Sequence, residues 1–131
     1  MTLEKINPDA LAEPAGYAQV TVAHGTKRVY VSGQIGNDAD DNMVGDDLAS
    51  QTTQAFDNVG TALAAAGAGW DHVAKLTIYV VEYDPSNMEA IGAGMGHAME
   101  QGMTPTAATL IGVQALYRPE VLVEIEAIAE V

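Results

Sequence analysis

Residues 121–129, VLVEIEAIA, constrain the fold of this chain more than any other segment. In a strand, successive side chains alternate between faces. Leu122, Glu124, Glu126 and Ile128 therefore share one face, and Val123, Ile125, Ala127 and Ala129 share the other. Both faces carry apolar residues, so both call for cover. A carboxylate on a covered face costs free energy unless it is hydrogen-bonded or has a chemical task. Glu124 and Glu126 are the first candidates for chemistry on that argument.

The rest of the chain sets the conditions around that strand. At 131 residues it is expected to form one domain, residues 1–131, burying roughly two thirds of its unfolded surface. Eighteen acidic residues against three Lys and two Arg give a net charge of -13. Nucleic acid and anionic membranes both need a basic footprint and are poor partners for such a surface. A hydrophobic content of 48% argues against disorder, and the scarcity of Lys beside abundant Asp points to adaptation to high salt. With no cysteine there is no disulfide framework or thiol nucleophile. The opening MTLEKINPDALAEP lacks an apolar signal core, and no run reaches the roughly 18 apolar residues of a membrane span, so a cytoplasmic location is expected.

Strands and helices alternate along the chain. Residues 17–23 and 27–32 are β-rich runs joined by His24, Gly25 and Thr26, which suggests a hairpin. The five Asp within residues 37–47 read as a solvated loop, because the spacing lacks an EF-hand pattern. Leu48, Ala55, Phe56, Val59, Leu63 and Ala66 recur at helical spacing, with Asp46 or Asp47 as the cap and Gly67 as the stop. Residues 72–82 form a β-branched interior strand. A second helix follows to about Gln101, with Ser86 and Glu89 as its capping box. Its glycines, Gly92, Gly94 and Gly96, suggest close packing on the sheet rather than a phosphate loop. Residues 106–113 and 121–129 are expected to close the sheet as a second hairpin. Two helices on one sheet face give an α+β or α/β layer fold, and too little chain remains to cover the other face. A neighbouring subunit is the economical cover.

Several segments together resemble the Rid (YjgF) family of reactive enamine/imine deaminases. They are Tyr17-Ala18-Gln19, VYVSGQIG at residues 29–36, Gln51 through AFDNVGTALAAAG, the strand VAKLTIYV and the closing LVEIEAIA. The matches fall in the family's order over nearly the whole chain. The resemblance implies an α+β, chorismate-mutase-like fold: a mixed six-stranded sheet with two helices packed on one face. It also implies a homotrimer with active sites between subunits, and hydrolysis of enamines or imines to a carbonyl compound and ammonia without cofactor or metal. By the same resemblance, Glu124 matches the glutamate that orients water. Tyr17 and the turn Ser32-Gly33-Gln34 line the pocket, with Thr109 and Leu110 on the strand opposite.

One position departs from that pattern. Imine deaminases of the family carry an arginine that clamps the substrate carboxylate, and aligning the closing segment puts Ala108 there, with Ala107 beside it. Arg28 and Arg118 are the only arginines, and neither lies in that strand. The substrate lacks a carboxylate, or another donor replaces the clamp, or a small metabolite binds without turnover. Other chemistries fit less well. His24, His72 and His97 have no metal-ligand spacing, and Ser32, Ser50 and Ser86 lie in no nucleophile elbow. Some relatives are described as endoribonucleases, an activity that so acidic a chain is not expected to share.

Overall fold

The computed structural model describes residues 3–131. Its elements in chain order are β1 (Leu3–Ile6), β2 (Val20–Ala23), β3 (Arg28–Gln34), α1 (Leu48–Ala65), β4 (Val73–Val81), α2 (Met88–Glu100), β5 (Ala107–Val113) and β6 (Val123–Glu130). Four strands form a mixed sheet in the order β3-β6-β4-β5, and β1 pairs antiparallel with β2. The β1–β2 pair adjoins the larger sheet where Ala18 bridges to Ala107 and the Thr21 hydroxyl donates to the Ala74 carbonyl. The sheet layer thus has six strands of mixed sense, and both helices pack on one side of it, as the resemblance implied.

The alternation in β6 is realised. Val123, Ile125, Ala127 and Ala129 are buried, together with Leu76, Ile78 and Val80 of β4. Against them lie Ala55, Phe56, Val59 and Leu63 of α1 and Ile91 and Ala98 of α2. Phe56 meets Trp70 with ring centroids 5.9 Å apart, in the tilted arrangement that aromatic quadrupoles favour. Asp47 caps α1, its carboxylate accepting from the Ser50 amide at 2.9 Å. Of the three glycines in α2, Gly94 has the packing role. A Cβ there would collide with Thr52 of α1, so the close approach is between helices and not onto the sheet. A Cβ at Gly92 or Gly96 would meet nothing.

Three local expectations are corrected. Residues 17–23 and 27–32 do not pair with each other: β2 pairs with β1, and β3 runs antiparallel to β6. The amides of Thr26 and Lys27 instead donate to the Val131 carbonyl, which ties the connection to the chain end. Nor do β5 and β6 form a hairpin, because β4 lies between them, parallel to β5 and antiparallel to β6. A strand with apolar residues on its covered face gains more by sitting centrally, with neighbours on both edges, than by pairing only with the nearest segment. The second helix is preceded by a tight turn, Pro85–Asn87, capped by Asp84 rather than Ser86; the Asp84 carboxylate accepts from the Ser86 amide at 2.9 Å.

Candidate active site

Glu124 and Glu126 emerge on the sheet face opposite the helices. Register places Glu124 opposite Tyr79 and Glu126 opposite Thr77, so this face reads Lys75, Thr77 and Tyr79 along β4 beside Glu124, Glu126 and Ile128 along β6. Tyr30 of β3, the partner of Ile128, is 69% exposed there.

The two carboxylates have different surroundings. The Tyr79 hydroxyl donates to Glu126 Oε1 at 2.6 Å. That bond, then desolvation, then the charges of Glu126 and Glu124 hold the Tyr79 phenol above its ordinary pKa, so it stays a donor. Glu124 has no side-chain hydrogen bond to any described residue; it lies instead against the backbone of β3. The ladder between β3 and β6 slips between Val31 and Gln34, one extra residue on β3 forming a bulge at Ser32-Gly33. A Cβ at Gly33 would overlap Glu124 Oε2, so only glycine leaves room for the carboxylate in that place. The structure therefore brings Glu124 together with the Ser32-Gly33-Gln34 turn.

The other residues singled out in the sequence lie elsewhere in the chain. Tyr17, Ala108, Thr109 and Leu110 border a cavity of about 250 Å³, closed by Met88 and Met95 of α2. The parity of β5 separates its two alanines. Ala108 and Leu110 are in register with Leu76 and Ile78 on the helix side, whereas Ala107 and Thr109 are in register with Lys75 and Thr77 on the open side. Within one chain the Glu124 group and the Tyr17 group thus lie in different places. Neither arginine is unengaged: Arg118 holds both carboxylate oxygens of Asp41 at 3.2 and 3.3 Å, and Arg28 lies 3.5 Å from Glu130. Arg118 Nε also lies 3.1 Å from Glu120 Oε1, although that pair is not aligned as a hydrogen bond.

Sequence reading missed Tyr79 and Lys75. Their signal was present in the alternation of HVAKLTIYVVE, but only the register between β4 and β6 sets them beside the glutamates. Among the described residues, no three His, Asp or Glu side chains converge as metal ligands.

Fold and site define a class: an α+β protein that covers one face of a mixed sheet with two helices and presents a glutamate over a glycine bulge on the other. Residues 7–131 match the model of the family described as Endoribonuclease L-PSP, and the chain belongs to that family, the Rid (YjgF) family. The structure of the conserved Rid family protein YyfB from Yersinia pestis, a protein of unknown function, superposes with a TM-score of 0.92 at 37% identity, covering 100% of each chain. A RutC family protein of Synechocystis is 30% identical over 98% of this chain and 97% of its own length. The human 2-iminobutanoate/2-iminopropanoate deaminase is 33% identical over 72 residues, 54% of this chain and 51% of its own. No helix among the described residues is long and apolar enough to cross a membrane.

Proposed function

We propose that this protein is a hydrolytic deaminase of small reactive enamines or imines, releasing a carbonyl compound and ammonia. The observation that carries this reading is the contrast between the glutamates: Glu126 is taken by Tyr79, while Glu124 has no side-chain partner among the described residues and lies with its carboxylate against Gly33. An imine carbon is already electrophilic, so a positioned water and a carboxylate suffice. Glu124 takes a proton from water as the C–O bond forms on the protonated imine, gives it to the nitrogen of the resulting carbinolamine, and takes the hydroxyl proton as the C–N bond breaks, leaving a carbonyl and NH₃, with that last proton passing to the ammonia or to solvent. Similarity to the human deaminase supports the reaction class.

The reading requires the Glu124 group and the Tyr17 group to meet. A homotrimer, the usual assembly in this family, would set the Tyr17 and Thr109 group of one subunit against Glu124 of the next and would cover exposed Tyr30 and Ile111. With -13 on each chain, such an assembly is expected to strengthen as salt screens repulsion between subunits, and light scattering from dilute buffer to molar salt would measure it. Ammonia release from imines generated in the assay tests the activity itself. The expected result is ammonia production above the spontaneous rate. The absence of an arginine in β5 favours a second reading, a trimer that binds a small metabolite in the same cleft without turnover; saturable binding with no acceleration would select it.

A further inference from the structure

We infer that two amide side chains of α1, Gln51 and Asn58, are positioning residues for Glu124: they fasten the backbone on both sides of its carboxylate and so hold the gap over Gly33 at the width the reaction needs. This rests on the deaminase reading above.

Gln51 is a polar residue in the core. It has no exposed surface, on a helix whose other buried positions are Thr52 and the apolar Ala55, Phe56, Val59 and Leu63. A buried amide costs free energy unless its groups are bonded, and here they are. Gln51 Nε2 donates to the Glu120 carbonyl at 2.9 Å and to the Gly45 carbonyl at 3.2 Å, while Oε1 accepts from the Leu122 amide at 2.9 Å. Bonds to two acceptors and one donor fix which way the amide points. The buried hydroxyls have more local tasks: Thr52 donates to the Leu48 carbonyl of its own helix, and Thr106 to the Val73 carbonyl of the adjoining strand. Gln51 instead reaches Glu120 and Leu122, which lie 69 and 71 residues away in the chain.

Those partners frame the catalytic carboxylate. Leu122 stands two residues before Glu124 and leads into β6. On the other side of the carboxylate, β3 runs on from the Ser32-Gly33 bulge to Gly36, which lies directly on α1: a Cβ at Gly36 would come within 2.6 Å of Gln51 Cα. Asn58, about two turns further along the helix, holds the residues on either side of Gly36. Its Nδ2 donates to the Ile35 carbonyl at 2.8 Å and to the Asn37 carbonyl at 2.9 Å, and its Oδ1 accepts from Gln54 Nε2 at 2.9 Å. The helix thus grips β3 just beyond the bulge and β6 just before Glu124. Gly33 leaves no room for a methyl group beside Glu124 Oε2, so a movement of either strand moves the carboxylate. An apolar side chain at position 51 would fill the same space without fastening either strand, whereas a fully bonded polar network specifies one geometry.

The test is a double-mutant cycle on the full chain, read by ammonia release from imines generated in the assay. Gln51→Met keeps the length of the side chain and removes all three bonds. It should lower kcat by about ten- to a hundredfold with KM changed by less than about threefold, because a misplacement of the order of 1 Å costs up to about 10² in rate. With Glu124→Gln already present, the same substitution should cost less than about threefold, since no base is left to misplace. A purely structural Gln51 would lower the melting temperature and either leave kcat per folded molecule unchanged or reduce it by the same factor in both backgrounds. Either result overturns the inference. Asn58→Leu, which releases only the β3 side, should show the same dependence on Glu124 and serves if Gln51→Met does not fold. If the parent accelerates no imine at all, the deaminase reading fails by itself, and carboxyl-carbon NMR of glutamate-labelled protein then decides the positioning. The Glu124 signal, identified by its loss in Glu124→Gln, should shift in Gln51→Met or Asn58→Leu while that of Glu126, bonded to Tyr79, stays. An unmoved Glu124 signal, or equal movement of both, removes the inference.

Discussion

The two faces of the β3-β6-β4-β5 sheet are built from the same strands, residue by residue in alternation, and they do different work. On the helix side Ile125 is fully buried in one apolar cluster with Phe56, Val59 and Ile91. One step along the strand, Glu124 and Glu126 stand on a face with Tyr79, Thr77 and Lys75, where hydrogen bonds and charge replace packing. The lesson is that the apolar core and the polar face are separated by a single residue of register. A slip of one would bury two carboxylates and expose the core.

That separation can be broken by experiment, beginning with the largest effect. Glu124→Gln keeps size and removes the base, so turnover should fall by about 10²–10⁴ in a steady-state ammonia assay while the melting temperature stays near the parent's. A folded variant deaminating at the parent rate would move the base assignment to Glu126. The adjacent Ile125→Ala should do the reverse, losing about 2–5 kcal/mol in denaturant titration with little change in rate per folded molecule. Gly33→Ala probes the contact between the bulge and the carboxylate. Its methyl must displace Glu124, and a shift of the order of 1 Å is expected to cost about 10² in kcat, with a much smaller loss of stability.

The smallest effect concerns pH. The Tyr79 phenol is held above its ordinary value chiefly by its bond to Glu126. A group whose folded pKa is raised contributes its stability fully below the unfolded value, about 10 for tyrosine, and loses it as pH climbs through the folded value. In a phenolate absorbance titration, Tyr79 should therefore ionise above the ordinary tyrosine range, and that step should vanish in Tyr79→Phe. Thermal melts of the parent should decline more steeply with pH above about 10 than those of the variant.

Much of this architecture was legible beforehand, for identifiable reasons. The helical spacing from Leu48 to Ala66 and the alternation from Leu122 to Ala129 are local periodicities, and both appear where the pattern placed them. The two expected hairpins failed because adjacency in sequence was taken as adjacency in the sheet. Nothing local in residues 106–129 indicates that the strand Val73–Val81, on the far side of α2 in the chain, will enter between them. The site divides in the same way. Glu124 was visible as a charge in an apolar strand, whereas its contact with Gly33 and the bond from Tyr79 to Glu126 join different strands and follow only from register.

By itself, then, the sequence determined which residues of each strand share a face, where the helices run, and that Glu124 and Glu126 lie together on one face of an otherwise apolar strand. Tertiary structure decided the rest. It set β4 between β5 and β6, gave Glu126 to Tyr79 while leaving Glu124 beside Gly33, and turned Ala107 towards Lys75 but Ala108 towards the helices. The physical reason is range. Backbone periodicity is set by each residue and its nearest neighbours, but strand order and register are chosen by the burial and hydrogen bonding of the whole sheet at once.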